Sequence, residues 1–214
     1  MLDRHNQNLS FWSPNPWMIP AFFTPQQFVQ LYWLYRLITL DPRKPTSRAD
    51  LEIQSDYAPF YVVGNLCIAT WMLFWNSNNM KGANVFVWIN SLSQIAYLTG
   101  AVGNLGKMNT RSLSSVLTHV NAKTFAGIGV LDLLHNTSAA YFRNQQPSTL
   151  IKVLTGVGFG VAGACSDWIF GGALVYDLVA LAIGQRDYNA DWSNLLGAFA
   201  VGTAAIVGIK NWFR

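Results

Sequence analysis

Two ionisable side chains, Asp132 and His135, stand three residues apart inside a long, largely apolar stretch from Leu117 to Phe142. On a helix that spacing puts them about 60° apart on one face, where an acid and an imidazole can share a hydrogen bond or a proton. Asp177, in the run LVYDLVALAI, is a third acid without an adjacent cation and, beside Tyr176, is placed to donate a proton. Groups of this kind at membrane depth are costly unless paired or wetted, which makes them candidates for function. Asp132, His135 and Asp177 are therefore the candidate catalytic residues, with either acid protonating an alkene or epoxide and His135 restoring the proton. The alternative is that they are struts, satisfied by hydrogen bonds to neighbouring helices. Asp167, in CSDW, fits the N-cap of a following helix better than an acid catalyst.

A second set of residues suits binding rather than catalysis. Trp71, Trp75 and Trp88 supply flat apolar walls, and Asn65 and Asn90 supply isolated amides, the combination that a pocket for a flat hydrophobic molecule needs. The same amides also hold helices together, so both readings stand.

Other chemistries are poorly served. His119 and His135 are sixteen residues apart, about 24 Å along one helix, too far to ligate a single haem iron. Cys67 and Cys165 sit in separate apolar runs without a partnering motif, and no dense His/Asp/Glu cluster occurs, so neither a metal site nor a bound cofactor is expected. The run Gly156-x-Gly158-x-Gly160-x-x-Gly163 spells a dinucleotide fingerprint, but it lies in an apolar span with no preceding strand. Gly156 and Gly160 instead form a small-residue face for close helix packing, within the chain or across a homodimer.

The elements that must position these groups follow from composition. The 214 residues are 51% hydrophobic and only 11% charged, with nine Trp, eight Tyr and thirteen Phe. That balance excludes a disordered chain and a nucleic-acid partner, and names the lipid bilayer as the surrounding medium. Apolar windows of spanning length run from Phe22 to Leu40, Tyr57 to Asn76, Ala83 to Leu105, Leu117 to Phe142 and Trp192 to Trp212. The block from Leu150 to Gly184 is too long for one perpendicular span and is expected to hinge at Ser166 and Asp167 into two helices. The expected fold is all-α, a polytopic transmembrane bundle of about seven spans, with five or six if the weaker windows fail. Residues 1–21 are expected to form an N-terminal interfacial segment, its SPNPWMIP run a proline-stiffened strap with Trp12 and Trp17 at headgroup depth, and residues 22–214 a single helical domain.

With seven spans, Arg36, Arg43, Lys44, Arg48, Lys107, Arg111, Lys123, Lys210 and Arg214 fall toward one side, outnumbering Arg4, Lys81, Arg143, Lys152 and Arg186 on the other. The excess of positive charge puts the C-terminus in the cytoplasm. Asn8-Leu9-Ser10 matches a glycosylation acceptor, usable only on a lumenal N-terminal side; Asn136-Thr137-Ser138 matches too, but mid-membrane it is inert.

Four segments, FFTPQQFVQLYWLYRLI from Phe22, YAPFYVVGNLCIATWMLFWN from Tyr57, LTHVNAKTFAGIGVLDLLHNTSAAYF from Leu117 and RDYNADWSNLLGAFAVGTAAIVGIK from Arg186, resemble in order and spacing the tryptophan-rich sensory (translocator-related) membrane family. The departure lies in the first helix, where Phe28, Leu31 and Tyr32 stand in that family's aromatic run and Trp33 and Tyr35 are displaced. The resemblance implies a helical bundle of five core spans, often dimeric, with an aromatic-lined cavity for porphyrins or sterols. Three functions follow in order of preference: binding of a flat hydrophobic ligand, porphyrin- or sterol-like; a membrane-embedded cyclase or isomerase acting on a lipophilic, terpenoid-like intermediate; and an accessory subunit docking through its Gly and Ala faces.

Overall fold

Short polar side chains mark most helix starts. Asn79, Ser112, Ser148, Asp167 and Asn189 each accept hydrogen bonds from backbone N–H groups of the first turn, satisfying donors that have no partner within the helix. Pro45 opens another helix, where its missing N–H costs nothing. The computed structural model describes residues 2–213, apart from the Thr46 side chain; Arg214, counted above in the basic excess, lies outside them. The described residues form eight helices and no strand: α1 (Leu2–Gln7), α2 (Met18–Thr39), α3 (Pro45–Asn76), α4 (Met80–Leu98), α5 (Leu113–Tyr141), α6 (Thr149–Cys165), α7 (Trp168–Gln185) and α8 (Ala190–Trp212).

Each apolar window holds a helix, and the long block divides at Ser166 and Asp167 as expected. The bounds differ where turn chemistry overrides hydropathy. α3 begins twelve residues before Tyr57, at Pro45, and its 32 residues run for about 48 Å. α4 stops at Leu98 instead of Leu105, because Gly100, Gly103 and Gly106 take left-handed backbone angles that end regular helix. Three helical segments are long and apolar enough to cross a membrane: Ser47–Asn76, Trp168–Gln185 and Ala190–Trp212, with α6 a shorter apolar helix. These point to a membrane protein, with fewer such helices than the seven expected.

α5 carries too many polar residues to qualify, and the packing shows why it tolerates them. It is the central helix, in contact with α2, α3, α4 and α7, and His119, Asn121, Lys123, His135 and Asn136 are all buried against neighbours. α7 packs on α5 and α8, and α6 lies outside against α8. Phe125, Ile128 and Leu131 of α5 meet Leu174, Leu178 and Leu181 of α7 and Trp192 and Leu196 of α8 in the larger core cluster. Glycine sets the α5–α7 distance: a Cβ on Gly127 would lie 2.3 Å from the Ala173 Cβ. Gly156, one of the two glycines read as a dimer face, is turned toward α8 of the same chain, where a Cβ would come within 2.7 Å of Phe199, and Gly160 sits over Ile206.

The N-terminal strap is built into this domain rather than laid beside it. Asn8, Ser10, Phe11 and Ser13 are buried. The Asn15 N–H donates to the Ala180 carbonyl at 2.9 Å, Gln185 Nε2 donates to the Ser10 and Ser13 carbonyls, and Trp192 Nε1 donates to the Phe11 carbonyl at 2.6 Å. Trp12 stacks edge-on against Trp192 with ring centroids 5.1 Å apart, whereas Trp17 is exposed.

Candidate functional site: a wedge between α2 and α3

α2 and α3 touch at one end and part at the other. Where they touch, Trp33 packs against Tyr57 and Tyr61, Trp33 Nε1 donates to Thr118 Oγ1 at 2.9 Å, Gln54 reaches the Trp33 carbonyl, and Tyr61 donates to Gln30 Oε1. Beyond Gln30 the first half of α2 and the last half of α3 diverge around a cavity of about 490 Å³. That volume lies within the range of small-molecule sites. Its floor is α5, its far wall includes Asn90 of α4, and its roof is the N-terminal segment, through Leu2, His5, Pro14 and Pro16.

Six of the candidate residues line this one cavity. Asn65, Trp71 and Trp75 come from α3, Asn90 from α4, and Asp132 and His135 from α5. The catalytic and binding candidates, separated in sequence by more than forty residues, thus share a wall. Trp71 is held in place by its Nε1–H, which donates to Asn136 Oδ1 at 2.7 Å, and Asn136 in turn donates to the Asp132 carbonyl one turn earlier. Gly64 permits the close approach of α3 to α4 and α5: a Cβ there would meet Phe125 at 2.6 Å and Asn90 Oδ1 at 2.9 Å.

Two candidates fall elsewhere. Trp88 points outward from α4, 41% exposed, and has no part in the cavity. Asp177 is fully buried on α7, behind the wall, with no hydrogen-bond partner on either carboxylate oxygen. Asp167 is the N-cap of α7, accepting from the Ile169 and Phe170 N–H groups, and also pairs with Lys123 of α5.

Sequence reasoning missed the roof and the α2 wall. His5 lies with its ring centroid 5.4 Å from that of His135, which also faces Trp75 at 5.6 Å. Burial holds the His5 imidazole below its ordinary pKa. Nothing in the local sequence links His5 to a residue 130 positions later. Gln27 and Gln30 of α2 also line the cavity; in the sequence they register only as interruptions of an apolar window. A second, more open groove of about 1000 Å³ runs between α4, α5 and α6, with Cys165 exposed at its edge and the Lys123–Asp167 pair at one end. Among the described residues no group of three His, Cys, Asp or Glu side chains is placed to hold a metal ion.

The fold and site together define an α-helical bundle, three of whose helical segments are long and apolar enough to cross a membrane, with an aromatic-walled cavity between α2 and α3. Comparison of the chain with protein-family models, with characterised proteins and with solved structures returns no match in any of the three.

Proposed function

We propose that this chain is a multi-pass integral membrane protein, its C-terminus cytoplasmic, that binds a flat hydrophobic molecule in the wedge between α2 and α3. The observation that carries the reading is the convergence of Trp71, Trp75, Asn65 and Asn90 with Asp132 and His135 on one cavity of about 490 Å³. Aromatic walls with a few placed polar groups are the usual lining of a site for a drug-sized apolar ligand. The reading agrees with the aromatic-lined cavity that the resemblance to the tryptophan-rich sensory family implies. It favours a sterol-like over a porphyrin-like ligand, because among the described residues no lysine or arginine lines the cavity to meet porphyrin carboxylates. Binding to the purified protein in detergent is read by quenching of Trp71 and Trp75 fluorescence: saturable quenching by a sterol, abolished by the cavity-filling variant Ile68→Trp, is expected. Quenching that never saturates, or that survives Ile68→Trp, refutes it.

One observation favours a second reading, a membrane-embedded cyclase or isomerase: the acid and the imidazole line the same cavity as the aromatic residues. A dry cavity protects a cationic intermediate from water. In that case Asp132→Asn abolishes turnover of a lipophilic alkene while Trp71→Phe only slows it. Turnover that survives Asp132→Asn removes this reading.

A further inference from the structure

The polar end of the ligand can be named from what the cavity wall lacks, an inference that rests on the ligand-binding reading. Among the described residues the two ion pairs are Arg36–Asp50 and Lys123–Asp167, so neither Asp132 nor Asp177 has a cation. Asp132 lines the cavity; Asp177, on α7 and outside the lining, has both carboxylate oxygens unpartnered among the described residues. One more acceptor lining the cavity is over nine-tenths buried and unsatisfied, Asn90 Oδ1. The lining therefore offers acceptors and a carboxylate, and among the described residues neither lysine nor arginine lines the cavity to supply positive charge in return.

Buried acceptors without donors are destabilising until something fills them. A sterol hydroxyl donates one hydrogen bond and brings no charge. A primary ammonium donates three and neutralises a carboxylate, and its hydrogen bonds to an ionised acceptor are about twice as strong as neutral ones. Trp71 and Trp75 add ring faces that attract a cation.

We propose that the cavity takes a lipophilic amine, with its ammonium seated on the Asp132 carboxylate and its apolar body along Trp71 and Trp75.

The test uses the full chain purified in detergent, with Trp fluorescence reporting competition between cholesterol and its 3β-amino analogue. The amine binds roughly tenfold or more tightly than the alcohol, the share of one charge-assisted hydrogen bond. Asp132→Asn erases that preference, so that amine and alcohol bind alike, while Asp132→Glu retains part of it. Should Asp132→Asn fail to fold, the N-acetylated amine on the unaltered protein reads the same contribution, and it binds no better than cholesterol. Equal affinity for amine and alcohol, or a preference that survives Asp132→Asn, overturns the amine assignment and leaves ligand binding intact. Saturable binding by neither compound overturns the binding reading itself, and the amine with it.

Discussion

Gly172 and Gly184 both belong to α7, yet alanine should act on them with opposite sign. A Cβ on Gly172 meets nothing within 4 Å, whereas one on Gly184 would stand 2.3 Å from the Pro14 carbonyl carbon and 2.4 Å from the Asn15 nitrogen, both backbone atoms of the strap. Gly172→Ala gains only helix propensity, about 1 kcal/mol. Gly184→Ala gains the same but must push the strap away, breaking the Asn15–Ala180 hydrogen bond and the two that Gln185 gives to Ser10 and Ser13. At about 1 kcal/mol per bond the loss is about 3 kcal/mol, and the net destabilisation about 2 kcal/mol. For a chain of this size each kcal/mol moves the midpoint by about 2–4 °C. Thermal melts followed by size-exclusion chromatography in detergent should therefore show Gly172→Ala raised by about 2–4 °C and Gly184→Ala lowered by roughly 4–8 °C. Because the strap roofs the cavity, Gly184→Ala should also expose residues 8–16 to protease and weaken ligand binding. A Gly184→Ala protein as stable as the parent would show that the strap is not seated on α7 as described.

The Asp167 cap and ion pair can be separated: Asp167→Asn keeps the cap and loses the pair, while Asp167→Ala loses both and should cost about 1 kcal/mol more in the same melts. His5 is held below its ordinary pKa by burial, so the neutral imidazole is the form that docks. Docking of α1 against His135 should then be complete above the ordinary imidazole range and be lost as pH falls through the lowered value; hydrogen exchange of residues 2–10 reads this, and His5→Phe should flatten the profile. Gly127→Val should fail to accumulate as folded protein, because the α5–α7 contact has no room for a side chain, whereas Gly208→Val, in open space, should accumulate normally. Trp71→Phe removes the bond to Asn136 and should cost about 1 kcal/mol in the melts while loosening ligand affinity severalfold.

Much of this architecture is legible in the residues. Hydropathy places all seven long helices, and the hinge at Ser166 and Asp167 follows from a low-charge block too long for one crossing with a capping residue in its middle. Asp132 and His135, three residues apart, both line the cavity from one helix, which is as far as their spacing reaches. What eludes sequence reasoning is contact between distant segments. Trp71 and Trp88 look alike in the sequence, but only the packing of α3 on α5 turns the first inward and leaves the second outside. The burial of the strap depends on backbone carbonyls at Ser10, Phe11 and Ser13, which carry no side-chain signature. Gln30 reads as a blemish in an apolar window and is the residue at which the wedge closes, because its partner Tyr61 lies on the next helix.

The strap also orders events during synthesis. Ala180, Gln185 and Trp192, which hold residues 8–16, emerge from the ribosome more than 160 residues after them. The strap thus waits for its seat, and the chamber stays unroofed until α7 and α8 are in place. A nascent chain arrested before α7 would carry the wedge open at its top and would also lack the α7 and α8 side of the larger core cluster, so the quality-control machinery would meet an open lid and an exposed core together.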